Sequence, residues 1–183
     1  RLLEQHPTLT GVLIEIHAFD HEKLQERTRC LSDIAIDRSS LVHPLAFTFD
    51  AREQAYLWKL RKGMYPAVAA VRARGEAAIL EDIAIPIESL GPAILDLQAL
   101  FAKHAYQNGI IFGHAKDGNL HFVITQSLNT AQDTAKYAAF IDDMVDLVIK
   151  KYDGALKAEH GTGRNMAPFV ETEWGSEAVA IMR

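Results

Sequence analysis

Hydrophobic and polar residues alternate in several short stretches of the chain and recur at helical spacing in longer ones, which predicts a mixture of strands and helices. Strands are predicted over residues 12–17, 46–49 and 79–85, and over 110–116 and 119–126. Helices are predicted over 21–34, 51–71, 89–108 and 131–152 and from about 168, with a short extended stretch over 154–159. This pattern is typical of an α+β fold, in which helices cover an antiparallel sheet.

Several residues mark where these elements begin and end. Asp50 is a predicted N-cap, because its carboxylate can accept the first free N–H groups of a helix. Pro86 ends the third strand, since proline has no N–H for a ladder, and Gly109 has the favoured position just after a helix. Pro66 predicts a kink or break near Met64 in the helix that follows Asp50.

A histidine hairpin is predicted from His114 to His121, with the sequence His-Ala-Lys-Asp-Gly-Asn-Leu-His. If Asp117-Gly118 forms a two-residue type I′ turn, His114 lies directly opposite His121 and on the same face. The Cβ atoms of such a pair are roughly 4.5–5.5 Å apart, and two imidazoles at that separation can share one divalent ion. A solvent-facing pair of histidines without a metal is the alternative.

The two faces of this hairpin differ in polarity. One face is small and apolar and is predicted to meet the helices; it carries Ile111, Gly113, Ala115, Leu120, Phe122 and Ile124. The other face, with both histidines, is apolar far from the turn and polar near it. That distribution is expected for a sheet that lines the mouth of a pocket.

Glu159 and His160 belong to a second candidate segment, Glu-His-Gly-Thr-Gly-Arg. Adjacent residues of an extended segment point to opposite sides, but Gly161 and Gly163 permit a bend that lets both side chains face one point. A carboxylate with two imidazoles leaves open positions on zinc or a similar ion, as in catalytic sites. A charged strand end followed by a glycine turn is the alternative.

Arg61 is the remaining candidate, beside an apolar helical stripe that includes Leu57, Leu60 and Met64. Its planar guanidinium suits bidentate capture of a carboxylate. The alternative is an ordinary solvated helix residue.

The chain of 183 residues is 49% hydrophobic and 23% charged, so it is predicted to bury its own core as one domain over 1–183. Residues 178–183 end inside an amphipathic pattern with no cap or glycine stop. We therefore expect a domain excised from a longer chain.

Charge and cysteine content exclude several classes of protein. The net charge of -5 argues against a nucleic-acid partner, which would require a basic surface. The sequence has no apolar run long enough to span a bilayer and no signal-peptide pattern. A single cysteine, Cys30, excludes an internal disulfide and a cysteine-held iron–sulfur cluster within these residues. A cytoplasmic location is the expectation.

These motifs resemble the C-terminal domain of FAD-linked oxidases of the vanillyl-alcohol oxidase type, a group with D-lactate dehydrogenases, glycolate oxidase flavoprotein subunits and D-2-hydroxyglutarate dehydrogenases. The resemblance rests on residues 113–122 and 157–166 and covers most of the chain. Residues 61–66 and 167–171 are most similar to large bacterial proteins in which this flavin module is fused to an iron–sulfur domain. The resemblance implies a ferredoxin-like cap domain.

The resemblance also implies a role for each candidate residue. It assigns a divalent metal, expected to be zinc, to His114, His121 and Glu159. His160 corresponds to the base, which takes the proton of the substrate hydroxyl, and Arg61 to the arginine that holds the substrate carboxylate. The candidate flavin contacts are Gly161, Gly163 and Arg164.

The implied reaction is oxidation of a small D-2-hydroxy acid to the 2-oxo acid, with hydride passed to FAD. The FAD would be bound mainly by a domain upstream of Arg1. Val123 stands where the hydroxyglutarate enzymes have asparagine. Tyr65 and roughly Leu80 stand where those enzymes have a threonine and a lysine that contact the substrate. These positions therefore do not provide for the distal carboxylate of hydroxyglutarate, which favours a shorter acid such as lactate. A downstream iron–sulfur domain, an electron acceptor and a peripheral position at the inner face of the membrane are further expectations for the full-length protein.

Two other classes stay open from the residues alone. A zinc-dependent hydrolase would use the same three ligands to hold a water molecule and would need no flavin. A non-catalytic α+β binding domain would keep the fold and bind no metal.

Overall fold

The computed structural model describes residues 2–6, 9–38 and 41–182, and the chain divides into two compact units, Arg1–Gly63 and Met64–Arg183. The expectation of a single domain over 1–183 stays a prediction. Among the described residues, no helix has the length and apolar character that crossing a bilayer requires.

The first unit is helical where it has regular structure. Its helices are α1 (Leu2–Gln5), α2 (His21–Arg38) and α3 (Ala51–Lys62). Asp50 caps α3 as predicted, because its carboxylate accepts the N–H groups of Arg52 at 2.8 Å and Glu53 at 2.9 Å. Helix α2 confirms the prediction for 21–34 and continues to Arg38.

The strands predicted over 12–17 and 46–49 are wrong, since both segments lack regular structure. Val12 is exposed, and no strand pairs with either segment in the described part of the first unit. The polar groups of Thr48 instead form hydrogen bonds with residues at the start of α3. The Asp50 N–H donates to the Thr48 hydroxyl, and the Gln54 side chain donates to the Thr48 carbonyl, both at 3.1 Å.

The second unit contains a three-stranded antiparallel sheet and several helices. The elements are α4 (Met64–Val71), β1 (Glu76–Ala84), α5 (Leu90–Lys103), β2 (Ile110–His114), β3 (Asn119–Ser127), α6 (Ala131–Val145), α7 (Gly163–Met166) and α8 (Val170–Met182). A wider, π-helical turn, Asp146–Lys151, continues α6. The predicted break near Pro66 is confirmed, but it falls at Gly63, and Pro66 lies in the first turn of α4.

The strand order is β1-β3-β2, so β1 and β2 flank β3 and are joined through α5. This is a split βαβ arrangement, as in ferredoxin-like folds. After α6 the chain returns to the open edge of β1, where Ala155 forms an isolated antiparallel bridge with Ala84. That single bridge replaces the extended stretch predicted over 154–159. The predicted α+β class, with helices on an antiparallel sheet, is confirmed.

The core lies between one face of the sheet and the helices. Leu120, Phe122 and Ile124 of β3 are buried there, together with helical residues such as Leu97 and Phe140. The predicted apolar face is therefore confirmed for these strand residues, whereas Ala115, which was predicted to share it, is exposed in the turn between β2 and β3.

Two helix ends differ from prediction. The helix predicted to end at Asn108 stops at Lys103, and Ala105 follows with φ of 55°. Gly109 instead packs on the core, because a Cβ there would lie 2.7 Å from a ring carbon of Phe101. The helix expected from about 168 begins at Val170, after a short 3-10 turn.

The predicted register of the histidine hairpin is wrong by two residues. His114 pairs with Asn119, and His121 pairs with Phe112. The connection is a 3-10 turn over Ala115–Asp117 followed by Gly118 at φ 64°, so it is longer than a two-residue turn. Because side chains alternate with a period of two, this shift leaves both histidines on the same face.

Candidate metal centre

The candidate metal centre consists of His114, His121 and Glu159, whose nearest donor atoms all lie within 4.8 Å of one another. The Glu159 Oε1 atom is 2.9 Å from His121 Nε2 and 3.5 Å from His114 Nε2. The structure therefore brings together the three residues predicted as ligands. Two imidazole nitrogens and one carboxylate are a donor set that suits zinc and leaves room for further ligands.

His121 is held rigidly because it lies in the central strand β3, between Asp82 of β1 and Phe112 of β2. Its side chain is 5% exposed, whereas those of His114 and Glu159 are about half exposed. Burial lowers the pKa of His121, and the nearby Asp82 carboxylate only partly offsets that effect. The neutral imidazole, which is the form that binds metals, is therefore favoured.

His114 is the last residue of β2, and Gly113 before it lets the two hairpin strands approach closely. A Cβ at Gly113 would lie 2.1 Å from the Asn119 carbonyl oxygen. The rings of His114 and His121 are consequently near each other, with centroids 5.6 Å apart.

Asp82 is a central residue of the site that the sequence analysis missed. Its buried carboxylate accepts the N–H groups of Ala158, Glu159 and His160 at 3.2, 2.7 and 2.8 Å, all on Oδ2. Its Oδ1 accepts the Asn119 side-chain amide at 2.5 Å. Burial alone would raise the pKa of Asp82, but these hydrogen bonds outweigh it and lower the pKa.

A signal for Asp82 was present in the sequence. Glu81 and Asp82 are adjacent acids inside the apolar run from Ile79 to Ile85, and both are fully buried. Charged residues are almost never fully buried unless they are paired. Two acids within a predicted buried strand therefore indicate specific partners.

A second group of donors within 4.8 Å of one another is formed by Asp82, His121 and His160. Both Asp82 oxygens already accept hydrogen bonds, which makes them poorer metal ligands than the Glu159 carboxylate. The Asp82 Oδ1 atom lies 3.6 Å from His121 Nδ1, which is buried and has no hydrogen-bond partner among the described residues. This places Asp82 behind the imidazole, on the side opposite the Nε2 atom that faces Glu159.

His160 lies directly against this centre. Its ring stacks on that of His121, with centroids 4.9 Å apart and an angle of 18° between the planes. Its Nε2 is 3.9 Å from Glu159 Oε1, and its Nδ1 is 3.9 Å from Asp82 Oδ2. The predicted bend is present, because Glu159 and His160 are adjacent yet both approach His121.

The glycines after His160 have the backbone conformation that the bend predicts. Gly161 has φ of 70° and Gly163 has φ of 60°, values that favour glycine. A Cβ at either position would meet no atom within 4 Å. Arg164 is exposed in α7. Flavin contact by these three residues stays a prediction.

Arg61 lies in the last turn of α3 and is half-buried. It belongs to the first unit, whereas the candidate metal centre belongs to the second. Its role as the partner of the substrate carboxylate therefore stays a prediction.

The fold and centre together define a small α+β domain with a carboxylate and two histidines at one end of its sheet. The chain belongs to the family of FAD linked oxidases, C-terminal domain, whose model matches residues 5–183. The family resemblance predicted from the two motifs is confirmed.

Three curated proteins illustrate what the chain is similar to. It is 29% identical to D-2-hydroxyglutarate dehydrogenase of Xanthomonas citri pv. viticola over 72% of this chain and 27% of that protein. It is 26% identical to the probable mitochondrial D-lactate dehydrogenase of Danio rerio over 97% of this chain and 34% of that protein. It is 27% identical to glycolate oxidase subunit GlcD of Bacillus subtilis over 74% of this chain and 28% of that protein. The chain thus spans about a third or less of the length of these relatives.

Proposed function

We propose that this chain is the substrate- and metal-binding domain of an FAD-dependent D-2-hydroxy acid dehydrogenase. The observation that carries the proposal is the cluster of His114, His121, Glu159 and His160 within a domain of the FAD-linked oxidase family. The relatives named as D-lactate and D-2-hydroxyglutarate dehydrogenases support the substrate class.

The metal site in this proposal uses His114, His121 and Glu159, with zinc as the expected ion. When bound, such an ion supplies positive charge that makes a nearby hydroxyl group more acidic. The chain's own contribution is to keep His121 neutral through burial and to hold Glu159 2.9 Å from it.

His160 is the proposed base that removes the hydroxyl proton. Its side chain is 39% exposed, so a substrate can reach it, and stacking on His121 fixes its ring. Arg61 holds the substrate carboxylate and thereby orients the carbon that is oxidised. The flavin, when bound, supplies the hydride acceptor, with Gly161, Gly163 and Arg164 as its proposed contacts in this chain.

A short acid such as lactate is the proposed substrate. Val123 is fully buried and apolar, so it offers no group to a second carboxylate. We further propose an upstream FAD domain, a downstream iron–sulfur domain with its electron acceptor, and a cytoplasmic or inner-membrane peripheral location for the whole protein. These last points rest on the resemblance of residues 61–66 and 167–171 and on the single cysteine.

The experiment compares the 183-residue chain with the same chain joined to its native upstream sequence. Dye reduction is measured with D-lactate, D-2-hydroxyglutarate and, as a control, L-lactate, and a visible spectrum reports bound flavin. We expect a flavin spectrum and D-specific turnover only in the longer protein. Turnover by the isolated chain with added FAD, or hydrolysis of a chromogenic ester by the zinc-loaded chain, would overturn the proposal.

A further inference from the structure

We propose that Asp82 is a positioning residue, which sets the locations of Glu159 and His160 by binding three consecutive backbone N–H groups. The inference rests on the proposed function, because it concerns two residues of that site. It adds a residue that neither coordinates the metal nor touches the substrate.

The geometry of the bound segment supports this role. The N–H groups of Ala158, Glu159 and His160 all donate to Asp82 Oδ2. In an extended chain successive N–H groups point in alternating directions, so three in a row cannot converge on one oxygen. Their convergence forms an anion-binding concavity of the kind called a nest. The bend that brings Glu159 and His160 to the same centre is therefore built around this carboxylate.

Asp82 itself is held in a fixed position. It lies in β1, pairs with His121 across the sheet and is fully buried. Its other oxygen accepts the amide of Asn119, which also donates to the Ile83 carbonyl at 3.1 Å. The same strand pair thus fixes His121 directly and Glu159 through Asp82.

The opposite face of β1 also binds this segment. Glu81 points to the helix-covered face, where it accepts Lys157 Nζ at 2.5 Å and the Asn165 side chain at 2.6 Å. These partners lie on either side of residues 158–160 in the chain. Glu81 therefore anchors the flanks of the segment, whereas Asp82 contacts its centre.

The test uses Asp82→Ala and Asp82→Asn in the 183-residue chain. Alanine removes both acceptors. Asparagine keeps one oxygen for the three N–H groups and loses only the acceptor that Oδ1 offers to the Asn119 amide. Val148→Ala serves as the control, because it removes buried side-chain volume from the hydrophobic core and Val148 is not one of the site residues.

Two measurements separate positioning from general stability. Amide hydrogen exchange by NMR is followed at residues 158–160 and in β3, and zinc affinity is measured by competition with a chromogenic chelator. For Asp82→Ala we expect exchange at 158–160 to accelerate at least about tenfold more than in β3, and zinc affinity to fall about 10–100-fold, the usual effect of losing an outer partner of a metal site. Asp82→Asn should show smaller changes of the same kind. Val148→Ala should accelerate exchange without this local preference and leave zinc affinity within about threefold.

The proposal would be overturned if the Asp82 variants accelerated amide hydrogen exchange at residues 158–160 no more than Val148→Ala does. If Asp82→Ala does not fold, the same comparison with Asp82→Asn decides it. If the unmodified chain binds no zinc but the exchange effect is local, Asp82 positions the segment as proposed, and the metal assignment of the proposed function fails.

Discussion

The Nε2 atom of His121 lies 2.9 Å from Oε1 of Glu159, although His121 is buried in the central strand and Glu159 lies in an exposed loop. The contact joins the hairpin motif to the Glu-His-Gly motif. Because burial lowers the pKa of His121, the neutral imidazole is favoured, and a neutral imidazole has one ring nitrogen that can bind a metal ion. The pair is therefore suited to bind a cation between its two atoms.

The first prediction is that His121→Ala abolishes zinc uptake by the chain, because it removes the most rigid of the three ligands. Metal analysis after chelator treatment and reconstitution measures the stoichiometry. His43→Ala is the matched control, since His43 is exposed and lies outside the candidate metal centre. Equal uptake by the His121→Ala and His43→Ala variants would contradict the assignment.

The second prediction concerns the close approach of the hairpin strands. Gly113→Ala should lower the free energy of unfolding by on the order of 3 kcal/mol, because the new Cβ would lie 2.1 Å from a backbone oxygen that cannot easily move. Gly91→Ala is the same substitution in α5 at a position with no atom within 4 Å of the new Cβ. It should raise stability by up to about 1 kcal/mol through helix propensity.

Denaturant unfolding of both glycine variants measures these changes. A Gly113→Ala chain as stable as the unmodified chain would mean that β2 and β3 are not packed so closely at the site.

The hairpin shows how far the sequence alone determines the site. Within β2 and β3, alternation assigned the side chains to the correct faces, and this assignment survived an error of two residues in the register because the pleat has a period of two. The longer turn depends on a tertiary contact that turn rules do not include. The Ile85 N–H donates to the Gly118 carbonyl at 2.8 Å, and a Cβ at Gly118 would lie 2.1 Å from the Ile85 oxygen.

Asp82 and residues 12–17 show which features of the fold could not be predicted from the sequence, and why. The adjacent acids Glu81 and Asp82 indicate buried partners, but only the fold shows that these partners are the backbone of residues 158–160 and the side chain of Lys157. Residues 12–17 have the alternation of a strand, but a strand requires a neighbour to satisfy its ladder. Local pattern contains no information about that neighbour.

The third prediction is a pH dependence at the start of α6. The Asp133 carboxylate accepts the Ser127 hydroxyl at 2.8 Å and the Thr130 N–H at 3.1 Å. The hydrogen bond from Ser127, followed by that from Thr130, lowers the pKa of Asp133. A carboxyl group with a lowered pKa stabilises the fold fully above its unfolded pKa, near about 4, and loses that contribution as the pH falls through its folded pKa.

Asp133→Asn should therefore destabilise the chain at pH 7, and the difference from the unmodified chain should shrink at pH 3. Urea unfolding at both pH values measures it. Asp142→Asn, at an exposed position of the same helix, should change stability little at either pH. A difference for Asp133→Asn that is as large at pH 3 as at pH 7 would show that its ionised form is not what stabilises the helix start.

The fourth prediction applies to the protein with its flavin domain. His160→Ala should lower kcat by roughly 10²–10⁴ and change KM little, the usual range for loss of a general base. His160→Gln keeps polarity without a basic nitrogen and should not restore the rate. Steady-state kinetics with saturating dye measures both parameters. A normal kcat in His160→Ala would assign proton removal to another group, and His160 would then act by holding Glu159.

The fifth prediction separates Arg61 from His160 by its kinetic signature. Arg61→Ala should mainly raise KM, because a charge-assisted contact with the substrate carboxylate is made in the ground state and the transition state alike. The loss should be on the order of 1.5–3 kcal/mol, the range for hydrogen bonds to charged groups. Arg61→Lys should recover little, since an ammonium group cannot reproduce the planar two-point contact.

Lys62→Ala, which removes the neighbouring exposed charge, is the control and should leave KM nearly unchanged. A fall in kcat with unchanged KM in Arg61→Ala would contradict carboxylate binding and would indicate an interaction made only in the transition state.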